Sequence, residues 1–142
     1  AWEVLKKLAD KSNQQKTRVS VPGFHRVFIR RDPKEPKNRR SRPSIWISNE
    51  TISILVDTSP DLRDQALLNG IKGIDAVLYT HDHADHTHGI DDLRVFAQRS
   101  GKPINIYSDE TTGISLKHRF SYAFSGENPH LYPPILTHNL TF

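Results

Sequence analysis

Apolar and polar positions change their period several times along this chain, and each change marks an element. Trp2, Leu5, Leu8 and Ala9 recur at helical spacing with Lys6 and Lys7 on the other side, which predicts a short amphipathic helix over 2–9. Polar residues 11–16 read as a linker. Val19 and Val21 alternate, and Val27, Phe28 and Ile29 follow the Pro22-Gly23 break, so 18–31 reads as extended. Residues 32–43, rich in proline and basic side chains, read as an exposed loop. From Ser44 the pattern becomes regular. Two β-rich runs, 44–48 and 51–56, flank Asn49-Glu50 and predict a hairpin. Asp57 to Pro60 ends the second run. A helix opens at Pro60-Asp61 and stops at Asn69-Gly70, with Leu62, Ala66 and Leu67 on one face. The apolar run 74–79 predicts a buried strand. A histidine-rich loop follows it, then a helix over 89–98 with Ile90, Leu93 and Ala97 aligned. Residues 104–107 read as a strand, 109–118 as a helix, and 121–142 as irregular with a last strand near 135–137. Strands alternating with helices after a hairpin make this an α/β layered domain.

Composition narrows the class. A chain of 142 residues is long enough for one domain with a real core, while a hydrophobic fraction of 35% and nine prolines leave part of it to loops. The absence of cysteine excludes disulfides and thiolate metal sites and suits a reducing compartment, so a cytoplasmic protein is expected. No apolar run approaches the ~20 residues that span a bilayer, and no membrane partner is expected. The chain opens on Ala1 and holds no methionine, which reads as a processed chain or a fragment. The net charge of +4 conceals an asymmetry: residues 1–43 carry thirteen Lys and Arg against four acids, and the remainder seven against twelve. The basic part is either a solvated extension or an attractor of RNA or an anionic substrate. No aromatic residue is interleaved with the basic run 30–42, as a base-stacking platform would need. Two parts are expected: a basic N-terminal extension over 1–31, and a folded domain over 32–142.

The strongest chemical signal follows the 74–79 strand. Residues 79–94 read Tyr-Thr-His-Asp-His-Ala-Asp-His-Thr-His-Gly-Ile-Asp-Asp-Leu-Arg. His81, His83, Asp85 and His86 form an H-x-H-x-D-H pattern of three imidazoles and a carboxylate, a donor set suited to zinc, manganese or iron. In extended backbone His81 and His83 point the same way and grip one ion. Asp85 and His86, after the small Ala84, reach a second ion through a tight turn. Two ions ~3.5–4 Å apart share a bridging hydroxide and clamp an in-line displacement. The H-E-x-x-H pattern of a zinc helix is absent. An adventitious surface metal binder is also His-rich. Position argues for function, because these donors begin just past a strand end, where α/β proteins place active sites.

Residues 80–94 closely resemble the signature of the metallo-β-lactamase fold hydrolases, and within them the phosphodiesterase-type branch. That branch includes the cyclic phosphodiesterase of phosphonate breakdown and is related to the tRNA 3′-processing endonucleases. The resemblance extends over 32–142. Residues 38–44 are similar to the segment leading into the branch's early hairpin, and Leu55 to Arg63 to its strand and acidic turn. The fold implied is the N-terminal half of an αββα sandwich with a mixed sheet. The counterparts of His81 and His83 bind the first metal and those of Asp85 and His86 the second. The counterpart of Asp57 lies beneath the site and orients a ligand; a turn or capping role before Pro60 is its other reading. Asp85 also orients the nucleophile, which makes it the catalytic residue. His88 faces either substrate or solvent.

The family also implies two divalent ions, most commonly Zn2+, and hydrolysis of a small phosphodiester or nucleotide-like substrate by a metal-bound hydroxide. Its further His and bridging Asp ligands come from a second half, and its glycine-rich opening has no match in 1–31. Partial metal occupancy and weak or no turnover are therefore expected of this chain alone. Two alternatives stay open. One is a non-catalytic half-domain that binds metal or pairs with a separate second half or another copy. The other is a basic RNA-binding module. Asp91 and Asp92 read as helix-capping charges. Arg94 reads as the partner of an acid or a phosphate. His25, His118, His130 and His138 read as isolated.

Overall fold

Asn49 builds the hairpin. Its Oδ1 accepts from the backbone N–H groups of Thr51 and Ile52, both at 2.9 Å, and its own N–H donates to the Ile52 carbonyl at 3.0 Å. The computed structural model describes residues 18–20, 41–125 and 132–141, with the backbone alone for 18–20. The expected helix over 2–9, the 11–16 linker, the proline-rich stretch up to residue 40, His25 and His130 lie outside the described residues. The hairpin joins β2 (Ile45–Ser48) to β3 (Ser53–Val56) in antiparallel register, Ile45 opposite Val56. The expected extended segment contributes β1 (Arg18–Ser20), antiparallel to β2.

Three parallel strands follow: β4 (Ala76–Leu78), β5 (Ile104–Ser108) and β6 (Leu136–Leu140). The result is a mixed six-stranded sheet in chain order, the α/β half-sandwich layout expected. Right-handed crossovers between parallel neighbours put the connecting helices on one face. These are α1 (Leu62–Asn69), α2 (Ala84–Thr87), a 3-10 turn (Ile90–Asp92) running into α3 (Leu93–Ser100), α4 (Glu110–Arg119) and α5 (Ser121–Ser125). Leu55, Val77 and Ile106 stand in register across the sheet and meet Leu62, Ile90, Leu93 and Leu116 from that layer in one core cluster. Each such side chain contributes about 1.5–3 kcal/mol by leaving water. Among the described residues, no helix is long and apolar enough to cross a membrane.

Three expectations change. Leu67 does not face the core and is 72% exposed. The inward face of α1 is Leu62, Gln65 and Ala66, because Gln65 is buried by its hydrogen bonds to Ser41 Oγ, Arg42 O and Ser59 Oγ. Residues 121–125 are helical rather than irregular. Phe120, Ala123 and Phe124 stand at i, i+3 and i+4, and the buried Ala123 takes the Ile135 N–H on its carbonyl at 2.9 Å. Asp91 and Asp92 stand in the acidic first turn leading into α3, as expected, although Asp92 makes no side-chain cap hydrogen bond; burial raises its pKa above the ordinary carboxylate range.

His138 is not isolated. Its Nε2 lies 2.9 Å from Ser108 Oγ, and Ser108 donates its own hydroxyl hydrogen to Asp109 O, so His138 is the donor of the pair. The ring lies against α4 at Gly113, where a Cβ would come within 2.2 Å of His138 Cε1. Burial, then the charge of Lys117, lowers the His138 pKa. A folded pKa below the unfolded value of about 6.5 means that the unfolded chain binds more protons below that pH. Stability linked to His138 is therefore complete above pH ~6.5 and lost as the pH falls from there through the folded pKa. Urea midpoints measured across this range should fall less steeply in His138→Gln than in the parent. Parallel curves would remove His138 from the linkage.

Candidate metal centre

Beyond β4 the ladder to β5 runs one step further, with Tyr79 N–H donating to Tyr107 O at 2.8 Å. Residues 80–83 then lie in no helix or strand, so side chains hold them. Asp57, just past the end of the neighbouring β3, supplies much of that hold. Its carboxylate is 4% exposed and accepts from Thr80 N and Thr80 Oγ1, each at 2.8 Å, and from His86 Nδ1 at 2.7 Å. Its φ of 60° is left-handed, a conformation that costs a non-glycine residue about 1–2 kcal/mol. Backbone bonds fix it there: Asp57 N–H donates to Leu78 O at 2.9 Å, and Ser44 Oγ donates to Asp57 O at 2.9 Å. Strain kept at a strand end beside a histidine cluster is a mark of a functional site.

These bonds also set the tautomers. An ionised carboxylate only accepts, so His86 donates through Nδ1, and in its neutral form the lone pair is then on Nε2. Thr80 donates its hydroxyl hydrogen to Asp57, so its oxygen accepts from His81 Nδ1 at 2.9 Å. In its neutral form His81 therefore also presents a bare Nε2. Its ring centroid lies 4.1 Å from that of His86 and 4.6 Å from that of His83. The expected tight turn is the single helical turn α2. Thr87 Oγ1 donates to His83 O at 2.9 Å and His88 N–H to Ala84 O at 3.0 Å, which places Asp85 Oδ2 3.6 Å from His86 Nε2. Asp85 and His83 are exposed.

The loop is joined to the turn after β3 by backbone. Thr58 N–H donates to His86 O at 2.8 Å, and Gly89 N–H to Thr58 O at 3.0 Å. Beneath them Thr58 Oγ1 and the Tyr79 hydroxyl lie 2.8 Å apart, and burial pushes the Tyr79 pKa well above its usual range. On the other flank Asp82 accepts from Ser115 Oγ at 2.6 Å, and Arg119 lies 3.4 Å from its carboxylate and donates to its carbonyl. The Ser115 bond, with help from Arg119, lowers the Asp82 pKa. Asp91 accepts from Tyr122 Oη at 2.6 Å, and burial and that bond push the Tyr122 pKa up to about 12. Arg94 meets an acid, Asp91, at 3.9 Å. His88 is exposed, edge-on to the Phe120 ring at 5.8 Å between centroids.

Three imidazoles and a carboxylate, two of the rings engaged through Nδ1 with Nε2 left for a ligand bond, are the donor chemistry of a divalent cation. Among the described residues no group of three or more His, Cys, Asp or Glu is arranged to hold one ion. The loop thus offers its donors in pairs, and each ion would need water or other groups to complete its shell. Sequence reading picked out His81, His83, Asp85, His86 and Asp57, and the fold brings them to one strand end. It missed Thr80 and Asp82, although both lie inside the motif. Alternation was the available signal, since residues between the histidines must point elsewhere.

Comparison with known proteins gives four findings. A model described as the β-lactamase superfamily domain matches residues 53–141. A crystal structure of a diphosphatase of the PhnP family is 33% identical, with a TM-score of 0.71 over 89% of this chain and 50% of that one. A protein of Porphyromonas gingivalis named octanoyltransferase is 37% identical over 123 residues, covering 84% of this chain but 24% of its own length. The metallo-β-lactamase fold protein YhfI from Bacillus subtilis shares the fold at 19% identity and a TM-score of 0.61 over 91% of this chain. This chain therefore spans about a quarter of the first curated relative and about half of the diphosphatase.

Proposed function

This chain belongs to the metallo-β-lactamase fold superfamily, and from that membership we propose that it carries the ion-binding loop of a phosphodiester hydrolase. One observation carries the reading: His81, His83, Asp85 and His86 meet at one strand end with His86 oriented by the buried Asp57. The 33% identity to a diphosphatase supports a phosphoester substrate, small or nucleotide-like. His81 and His83 would hold one divalent ion and Asp85 and His86 a second, zinc by preference among the divalent ions these ligands accept. Such ions polarise phosphoryl oxygens and make water nucleophilic at neutral pH. Asp57 keeps His86 in the tautomer that binds an ion. Asp85, exposed beside His86, orients the attacking water as the catalytic carboxylate. His88, on the exposed rim against Phe120, lies on the substrate side.

A second reading follows from the octanoyltransferase match, where a stretch the size of this chain is a quarter of a much larger protein. There the domain binds metal or a partner without turning over substrate. The test is hydrolysis of bis(p-nitrophenyl) phosphate with added zinc or manganese. Slow, metal-dependent turnover that falls on the order of 100-fold or more in His86→Ala is expected. Metal uptake with no turnover in any divalent ion would favour the second reading.

A further inference from the structure

The Arg119–Tyr122 corner, where α4 ends and α5 begins, touches the ion-binding loop at three places. Ser115 and Arg119 hold Asp82, which lies between His81 and His83. Phe120, with Arg119 Cζ 5.6 Å from its ring centroid, packs edge-on against His88. Tyr122 donates to Asp91. The contacts fall on both sides of the Asp85–His86 pair, and their partners are 31 to 37 residues away in sequence.

Residues 81–83 have no helix or strand to fix them. The backbone at His83 is extended, the His81 and His83 rings lie 4.6 Å apart, and Asp82 between them reaches Ser115 and Arg119 instead, so the hold on Asp82 bears on the direction of both histidines. Thr80, by its bonds to Asp57, fixes the run from one side. The Ser115–Asp82–Arg119 group fixes it from the other. A chelating loop held in place before binding loses less freedom when the ion arrives, and binds it more tightly for that reason.

We propose that the Arg119–Tyr122 corner is a positioning clamp for the ion-binding loop, with Arg119 and Ser115 aiming His81 and His83 through Asp82. None of these residues is among the four proposed ion ligands. The inference rests on the reading of His81 and His83 as ion ligands.

The test uses the 142-residue chain with Zn2+ alone in calorimetry and Co2+ alone in visible absorption. Arg119→Ala and Ser115→Ala should each weaken zinc binding about 10-fold, within the 10–100-fold range seen when groups supporting metal ligands are removed. The cobalt spectrum should change shape, and Arg119→Lys should recover part of the affinity. Asp82→Ala combined with Arg119→Ala should cost little more than either alone, because both break one linkage. Arg99→Ala, whose guanidinium donates to Lys72 O, is the control. A purely structural role would lower the melting temperature of the ion-free protein and leave zinc affinity and the cobalt spectrum of the folded protein unchanged; that result overturns the clamp. If the parent chain takes up no zinc, the hydrolase reading falls and the clamp with it. If the parent binds zinc and the variants bind it equally well, the clamp alone falls.

Discussion

Gly89→Ala should destabilise the fold by about 3 kcal/mol or more, the upper end of what overpacking costs. Gly89 has a φ of −91°, which any residue adopts. Space is the constraint: a Cβ would lie 2.0 Å from Ser59 O and 3.0 Å from Leu62 Cβ. The clash is with backbone, and that backbone is tied in turn, since Thr58 and residues 86–89 exchange two hydrogen bonds. Relief requires the histidine-rich loop to separate from the turn after β3 and breaks both bonds. A domain of ordinary stability, about 5–15 kcal/mol, would lose a large share of it. The comparison is Gly73→Ala, where a Cβ meets nothing within 4 Å. Urea unfolding should separate the two widely; equal midpoints would show that the loop moves freely at Gly89.

Asp57→Asn should lower zinc affinity about 10–100-fold with little loss of stability. Asparagine tolerates the left-handed backbone at position 57 and keeps an oxygen for Thr80 N–H. Its amide hydrogens would face Thr80 Oγ1 and His86 Nδ1, both of which now donate to Asp57. Donor against donor is relieved only if His86 moves its proton to Nε2, the nitrogen the ion needs. Asp57→Ala has no amide to impose that tautomer, but it loses the buried bonds to Thr80 and should be clearly less stable. Zinc binding by Asp57→Asn at parental affinity would show that Asp57 serves the turn alone.

Local pattern revealed local features well. Asn49-Glu50 pointed to the hairpin, Gly70 ends α1 in a left-handed conformation at φ of 64°, and the spacing of His81, His83, Asp85 and His86 identified the loop. Errors arose where a polar side chain took an apolar one's place. Leu67 scored as core because leucine is apolar, yet Gln65 fills that position once its amide is satisfied by Ser41, Arg42 and Ser59. The short α5 was hidden by the proline and aromatic content downstream, although Phe120, Ala123 and Phe124 already had helical spacing. Long-range contacts left no local trace. The left-handed turn of Asp57 and the approach of Gly89 to Ser59 depend on how β3 and the loop pack. The bond from Arg119 to Asp82 spans 37 residues, and no periodicity encodes it.

On the proposed reading His81 and His83 bind one divalent ion and Asp85 and His86 a second. Calorimetric titration of the chain with Zn2+, beside a His81→Ala/His86→Ala double variant, tests it most directly. Zinc uptake by the parent, partial at the second ion, and loss of uptake in the double variant without loss of fold are expected. Uptake of equal stoichiometry and affinity by the two proteins would contradict this ligand assignment.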